Sequence, residues 1–282
     1  KIVSIVCCAI VLILLVIACL VFIVNLNKKE FYRDFIPTKN RVLYNIIPTF
    51  DNQYLATFVP KNNESTDNIV ITYSLESNEW RGPINNASPD TDTYIIDLTY
   101  GKDKRLIGVG MTYDKVKKLP VYKIYIKQTE DVRSKWLNIE SNENIRSVTY
   151  DINGKTIIGC RDDGQLFIKK NDDLYDEWIG PINYDKPMKK VQFDKDGKLI
   201  GIGLKDNLIY KKKEYDWRKS KWNRQHKGFD KVYDIFHDYD GSLIATSPNG
   251  ILKQEHSNFM SDFKPLNETE KKDTILSIAK IL

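Results

Sequence analysis

The residues able to do chemistry are few and poorly grouped for it. Histidine occurs three times, at His226, His237 and His256, with spacings that suit no metal site. The stretches "DINGK" from Asp151 and "DKDGK" from Asp194 look like the start of a calcium loop. The remaining ligands and a glutamate at position twelve are missing, so both read as tight turns. Cys160, in "TIIGCRDD", reads as a packed strand thiol rather than a nucleophile. No glycine-rich phosphate loop and no G-x-S-x-G elbow is present. Aspartates recur at turns, with no pair set apart for acid–base work. The expectation is a chain that is not an enzyme and holds neither metal nor cofactor.

What the chain does position is a repeat. The stretch "EWIGPINYDKPMKKVQFDKDGKLIGIG" runs from Glu177 to Gly203, and its opening recurs as "EWRGPI" from Glu79. Its ending recurs as "VTYDINGKTIIG" and "IFHDYDGSLIAT", and more loosely as "IIDLTYGKDKRLIGVG" and "NIIPTFDNQYLATF". The turn glycines Gly154, Gly197 and Gly241 are 43 and 44 residues apart. Earlier copies are further apart because they carry insertions, such as "TYDKVKKLPVYK". A period of roughly 40–45 residues is that of a four-stranded propeller blade.

The fourth unit reads strand by strand. Residues 189–193 form a first strand, Asp194 to Gly197 a turn, residues 198–203 a second strand and residues 208–212 a third. The third alternates apolar and basic residues, which predicts one wet face. The lysine runs read as solvated edges. Trp80, Trp136, Trp178 and Trp222 fall at one place in four successive units, and Phe263 takes it in the fifth. An aromatic once per blade suits packing between neighbouring blades. The competing reading is one ligand-binding aromatic per blade. Five full units run from Arg41 to Leu266. "TILSIAKIL" looks like the first strand of another unit, and "EFYRDFIPTKN" like the last strand of a preceding one. The fold class is therefore all-β, a β-propeller over 41–282, with five blades favoured and six the alternative.

Strand, D-x-D/N-G turn, strand, a third strand like "LIYK" and then W-x-G-P-I resembles the tectonin and tachylectin type of propeller repeat. The W-x-G-P-I form is also similar to repeat proteins of large double-stranded DNA viruses. The resemblance implies a virion component, or a lectin binding N-acetylated sugars once per blade. Lys169, Lys170 and Lys211 to Lys213 stand where open-faced sugar sites would lie, which disfavours the lectin.

The other feature is at the start. Ile2 to Val24 are 23 residues without a charge. As a helix they match a bilayer core of ~30 Å. A cleaved signal would be shorter and would end in a small-x-small site, which "FIVNLNKKEF" lacks. Residues 1–26 are therefore expected to be a retained transmembrane anchor, followed by a juxtamembrane linker at 27–40. Lys28, Lys29, Arg33, Lys39 and Arg41 follow the span and only Lys1 precedes it, which places the propeller on the cytosolic side. Sequons begin at Asn63, Asn86 and Asn267, about as many as chance supplies in a chain rich in asparagine, serine and threonine. Cys7, Cys8 and Cys19 lie in the apolar segment. Cys160 is left alone in the rest, as suits a reducing compartment.

Of 282 residues, 41% are hydrophobic and 29% charged, with a net charge of +5 that permits an anionic partner without demanding one. Together these features predict a membrane-anchored docking protein. In a virus with an internal membrane it would lie between that membrane and the capsid shell. The alternative is a carbohydrate-binding or receptor module displayed on a membrane. The longest insertions, Pro60 to Asp67 and Tyr113 to Tyr122, should emerge on one side of the ring. Lys115, Lys117 and Lys118 in the second are the expected partner-binding residues. The expected partners are the bilayer and other proteins rather than nucleic acid, with sugar a secondary prospect.

Overall fold

The structure is a computed structural model. It describes residues 41–49, 53–60, 69–74, 79–81, 89, 93–114, 116–117, 119–151, 156–182, 185–194, 197–212, 218, 220–224, 232–237, 242–247, 250–254 and 263–265. The expected anchor, with its ends Ile2 and Val24, and the extra terminal strands lie outside these residues. Among the described residues no helix is long and apolar enough to cross a membrane.

The fold is an all-β propeller. Among the described residues, twenty strands form five four-stranded antiparallel sheets, each ordered as the chain runs. The first holds β1 (Arg41–Pro48), β2 (Gln53–Pro60), β3 (Ile69–Ser74) and β4 (Glu79–Arg81). The second holds β5 (Tyr94–Tyr100), β6 (Leu106–Asp114), β7 (Leu119–Lys127) and β8 (Trp136–Ile139). The third holds β9 (Ile145–Tyr150), β10 (Ile157–Arg161), β11 (Leu166–Lys169) and β12 (Trp178–Ile179). The fourth holds β13 (Met188–Phe193), β14 (Leu199–Gly203), β15 (Ile209–Lys212) and β16 (Trp222–Arg224). The fifth holds β17 (Asp234–His237), β18 (Leu243–Ser247), β19 (Gly250–Gln254) and β20 (Phe263–Pro265). In the third sheet the sequential order reads from β9 out to β12, as in the others.

The core lies between sheets rather than within one. Successive strand residues point to opposite faces, so each middle strand feeds two cores and reads as an unbroken apolar run. In β10, Ile157 joins Ile124, Val148 and Trp178 on one side, while Ile158 and Cys160 join Met188, Val191 and Leu199 on the other. In β14, Leu199 faces the third sheet's side and Ile200 and Ile202 join Ile235 and Leu243 of the fifth.

Turn chemistry follows the sequence where it is described. Gly197 has φ +75°, its N–H donates to the Asp194 carbonyl at 2.9 Å, and Asp194 Oδ1 accepts from the Lys198 N–H at 2.7 Å. Gly154 and Gly241 lie outside the described residues.

The wet face expected for the third strand is not there. Lys212 is buried, and Lys211 is partly buried and paired with Asp194. Both faces of β15 are covered because the sheet is an inner layer between two neighbours. The basic residues there are accommodated by specific partners instead of water.

Candidate docking site

Three constructions in the ring could carry function: a polar axis, a set of lysine–tryptophan pairs, and a projecting hairpin.

The axis is made by the innermost strands. In β1, β5, β9 and β13 the ladder slips by one residue at the same place, skipping residue 44, Ile96, Arg146 and Lys189. Such a bulge re-aims the residue that follows it. Those residues are Asn45, Asp97, Ser147 and Lys190, with Asp234 in the matching place at the start of β17. Lys190 Nζ lies 3.0 Å from Asp97 Oδ1 and 2.5 Å from Asp234 Oδ1. Asn45 Nδ2 donates to Asp97 at 3.3 Å and to Asp234 at 3.2 Å. The Val148 N–H donates to Asp97 Oδ2 at 3.0 Å. Four sheets thus meet in Asp97 and its partners, and the first and fifth meet through Asn45. Burial opposes the Lys190 charge, but the two carboxylates outweigh it and hold the ammonium above its ordinary range. Burial raises Asp234, against the pull of Lys190. The cluster is a self-paired lock. Among the described residues no group of three or more His, Cys, Asp or Glu is placed to hold a metal ion.

The second construction repeats. Lys127 pairs across strands with Trp136, Lys169 with Trp178 and Lys212 with Trp222. Each Nζ sits over the partner ring, at 4.1, 4.6 and 4.7 Å from its centroid. Each also donates to the carbonyl two residues before the tryptophan, those of Ser134, Asp176 and Ser220. All three lysines are at most 2% exposed. Burial lowers Lys127 to about 7 and Lys169 to about 8, and lowers Lys212 as well. The fifth sheet substitutes Gln254 opposite Phe263, and the first substitutes Tyr73 opposite Trp80.

These tryptophans sit between blades. Trp178 belongs to the core shared by the second and third sheets, and Trp136, Trp222 and Phe263 pack against the cores preceding their own sheets. Two of the rings need glycine opposite: a Cβ at Gly108 would come within 2.9 Å of Trp136, and one at Gly159 within 2.7 Å of Trp178. Lys169 and Lys212 therefore lie inside, beneath the aromatic slot, and not on an open face.

The third construction is the β6–β7 hairpin. Both strands are nine residues long, against four or five for their counterparts in the next two sheets. The pairs Thr112↔Val121, Tyr113↔Pro120 and Asp114↔Leu119 extend past the start of β5, whose first residue pairs with Met111. At the tip, Asp114 Oδ1 accepts the N–H groups of Val116 at 2.8 Å and Lys117 at 2.9 Å, which hold its carboxyl below the usual range. At the base, Asn144 Oδ1 accepts the Tyr122 N–H at 2.8 Å while Asn144 Nδ2 donates to Asp162 at 2.8 Å, bracing the hairpin on the third sheet. The tip exposes Val116 (91%), Tyr113 (62%) and Leu119 (59%). Lys117 is exposed beside them. Lys115 and Lys118, on either side of that pair in the chain, lie outside the described residues, as does most of the 60–67 insertion. The sequence pointed to this hairpin through its lysines. Its exposed apolar residues, Tyr113, Val116 and Leu119, carry no spacing in the sequence that sets them apart.

Four-stranded antiparallel sheets, each in chain order and repeated around an axis, define the β-propeller class. Two solved structures agree at the level of the fold. A luciferin-regenerating enzyme shares 14% identity at a TM-score of 0.52, over 73% of this chain and 70% of its own. A gluconolactonase candidate shares 9% at 0.53, over 74% and 72%. A protein of unknown function from Bacteroides thetaiotaomicron shares 11% at 0.48, over 76% of this chain, which spans 55% of its length. No family model matches the sequence, and no curated protein does.

Proposed function

We propose that the protein is a membrane-anchored propeller that acts as a structural docking protein, with Ile2 to Val24 as the anchor and the ring as a rigid platform. In this reading five blades complete the ring, and the repeat is of the tectonin type. The setting that suits it is a minor component of a virion, on the face of an internal membrane turned toward the capsid shell. The observation that carries the reading is the β6–β7 hairpin, tied by hydrogen bonds through Asp114 at its tip and Asn144 at its base while Tyr113, Val116 and Leu119 are exposed. Three exposed apolar side chains grouped on one projection support an interaction site there.

Two measurements test it. Alkaline carbonate should leave the chain in the membrane pellet, and quantitative release would remove the anchor from the proposal. Deleting Lys115 to Leu119 should leave the melt intact and weaken retention in the parent assembly. Normal assembly of that variant would contradict a docking role for the hairpin.

A further inference from the structure

The polar layer on the axis does not balance its own charge. Two carboxylates, Asp97 and Asp234, face one ammonium, Lys190, which leaves one negative charge in excess. The three side chains are at most 13% exposed. A buried charge without compensation is costly and calls for a counter-charge. Neighbouring cations are engaged elsewhere. Lys189 Nζ donates to Asn207 Oδ1 at 2.7 Å and to the Val232 carbonyl at 2.9 Å. The Arg146 guanidinium lies over the Tyr122 ring at 5.9 Å.

The same layer carries oxygens with capacity to spare. Asn45 bonds both aspartates through Nδ2, and its Oδ1 accepts nothing among the described residues. Ser147 Oγ, at the equivalent place in β9, likewise has no partner there. Both residues are at most 1% exposed. A carboxylate offers about four acceptor sites. Asp97 uses two on Oδ1, for Lys190 and Asn45, and one on Oδ2, for the Val148 N–H. Asp234 uses two on Oδ1, for Lys190 and the Ile235 N–H, and one on Oδ2, for Asn45. One site is left on each Oδ2. Four oxygens, each from a different sheet, are thus short of a partner in one layer.

Charge and size choose the partner. A water molecule would meet the hydrogen bonds and leave the charge. A divalent ion would overshoot the charge, and calcium or magnesium takes about six or more oxygens. A monovalent cation matches the single negative charge and needs neither histidine nor thiolate. Asn45 Oδ1 and Ser147 Oγ are closed to water, which favours a small bare ion, sodium before potassium. We infer that the axis is a sodium site, in which Asn45 Oδ1, Ser147 Oγ and the Oδ2 atoms of Asp97 and Asp234 hold the ion beside the Lys190 ammonium. The ion ties the first, second, third and fifth sheets together at the centre of the ring. It goes beyond the docking role proposed for the hairpin and does not depend on it.

The test melts the full chain in a non-ionic detergent, in chloride salts of sodium, potassium, magnesium or N-methylglucamine at equal ionic strength. The expected result is a melting temperature several degrees higher in sodium than in N-methylglucamine, saturating as sodium rises, with potassium between them. Asp234, faced by Lys190, Lys189 and Asp97, is raised by burial, so acid supplies a proton in place of the ion and the gap shrinks near pH 5. Ser147→Ala discriminates by sign. With an ion bound, the variant melts below wild type in sodium and loses most of the gap. With none bound, it removes a buried hydroxyl that has no partner and melts at or above wild type in every salt, which overturns the inference. Superimposed melts in all four salts overturn it too, as does a rise with magnesium that equals the one with sodium. If Ser147→Ala does not fold, the sodium NMR line of a wild-type solution decides: it broadens on adding protein if the site exists, and an unchanged line overturns it.

Discussion

Lys212 and Trp222 face each other across β15 and β16, with the ammonium 4.7 Å from the centre of the indole and donating to the Ser220 carbonyl at 2.5 Å. The same pairing recurs in the two preceding sheets. An ammonium over an indole face is attracted by the ring quadrupole, more strongly when water is excluded. Each lysine is nevertheless penalised by burial, and that penalty has a measurable sign.

Lys127 sets the first prediction. Its proton is held at about 7 in the fold against 10.5 ordinarily. Between those values the unfolded chain binds a proton that the folded chain does not. Stability from this group must therefore rise with pH through that window. Urea midpoints of the wild type should rise from pH 7 to pH 9 relative to Lys127→Met. A constant difference between the two proteins across that range would contradict the burial.

Trp178 is 4% exposed and lies in the core between the second and third sheets. Trp178→Ala should cost about 3–5 kcal/mol, as for other buried aromatics. Trp222→Ala should cost less, since that ring is only partly buried. Thermal melts of both variants check the order.

Gly159 and Gly197 are glycines for different reasons. A side chain at Gly159 collides with the Trp178 ring, whereas Gly197 has open space and φ +75°. Gly159→Ala should cost about 1–3 kcal/mol, much of it recovered when Trp178→Leu is added. Gly197→Asn should stay near wild type, because asparagine tolerates the left-handed region. Additive costs at Gly159 and Trp178 would argue against the contact.

Lys190→Met leaves Asp97 and Asp234 facing each other without their shared cation. Breaking a buried pair in this way should cost about 3–5 kcal/mol at pH 7. Asp234 is already raised by burial and would rise further, so the folded state takes up its proton first as pH falls. The deficit should therefore shrink at pH 5. Denaturant curves at the two pH values test this, and an equal deficit at both would count against the cluster.

Much of the ring was legible because its signals are local. The fourth unit's strands fall within one residue of the expected bounds, since turn glycine, alternation and tryptophan all lie within a few residues of one another. The lysines were misread because their partner lies across a strand. The interval from Lys127 to Trp136 and from Lys169 to Trp178 is nine residues, and from Lys212 to Trp222 ten, a periodicity that could have been seen. The axis left no such trace. Asn45, Asp97, Ser147, Lys190 and Asp234 are equivalent by register but differ in type, so only the bulges that align them reveal the set.

The bond between Asn45 and Asp234 spans 189 residues. A ribosome adding roughly 5–20 residues per second needs about 10–40 s to bring the second partner out after the first. For that interval β1 has no fifth sheet to close against. A nascent chain stalled before Asp234 would present an open arc with an unclosed edge, a natural substrate for chaperones and for capture by another copy emerging on the same polysome.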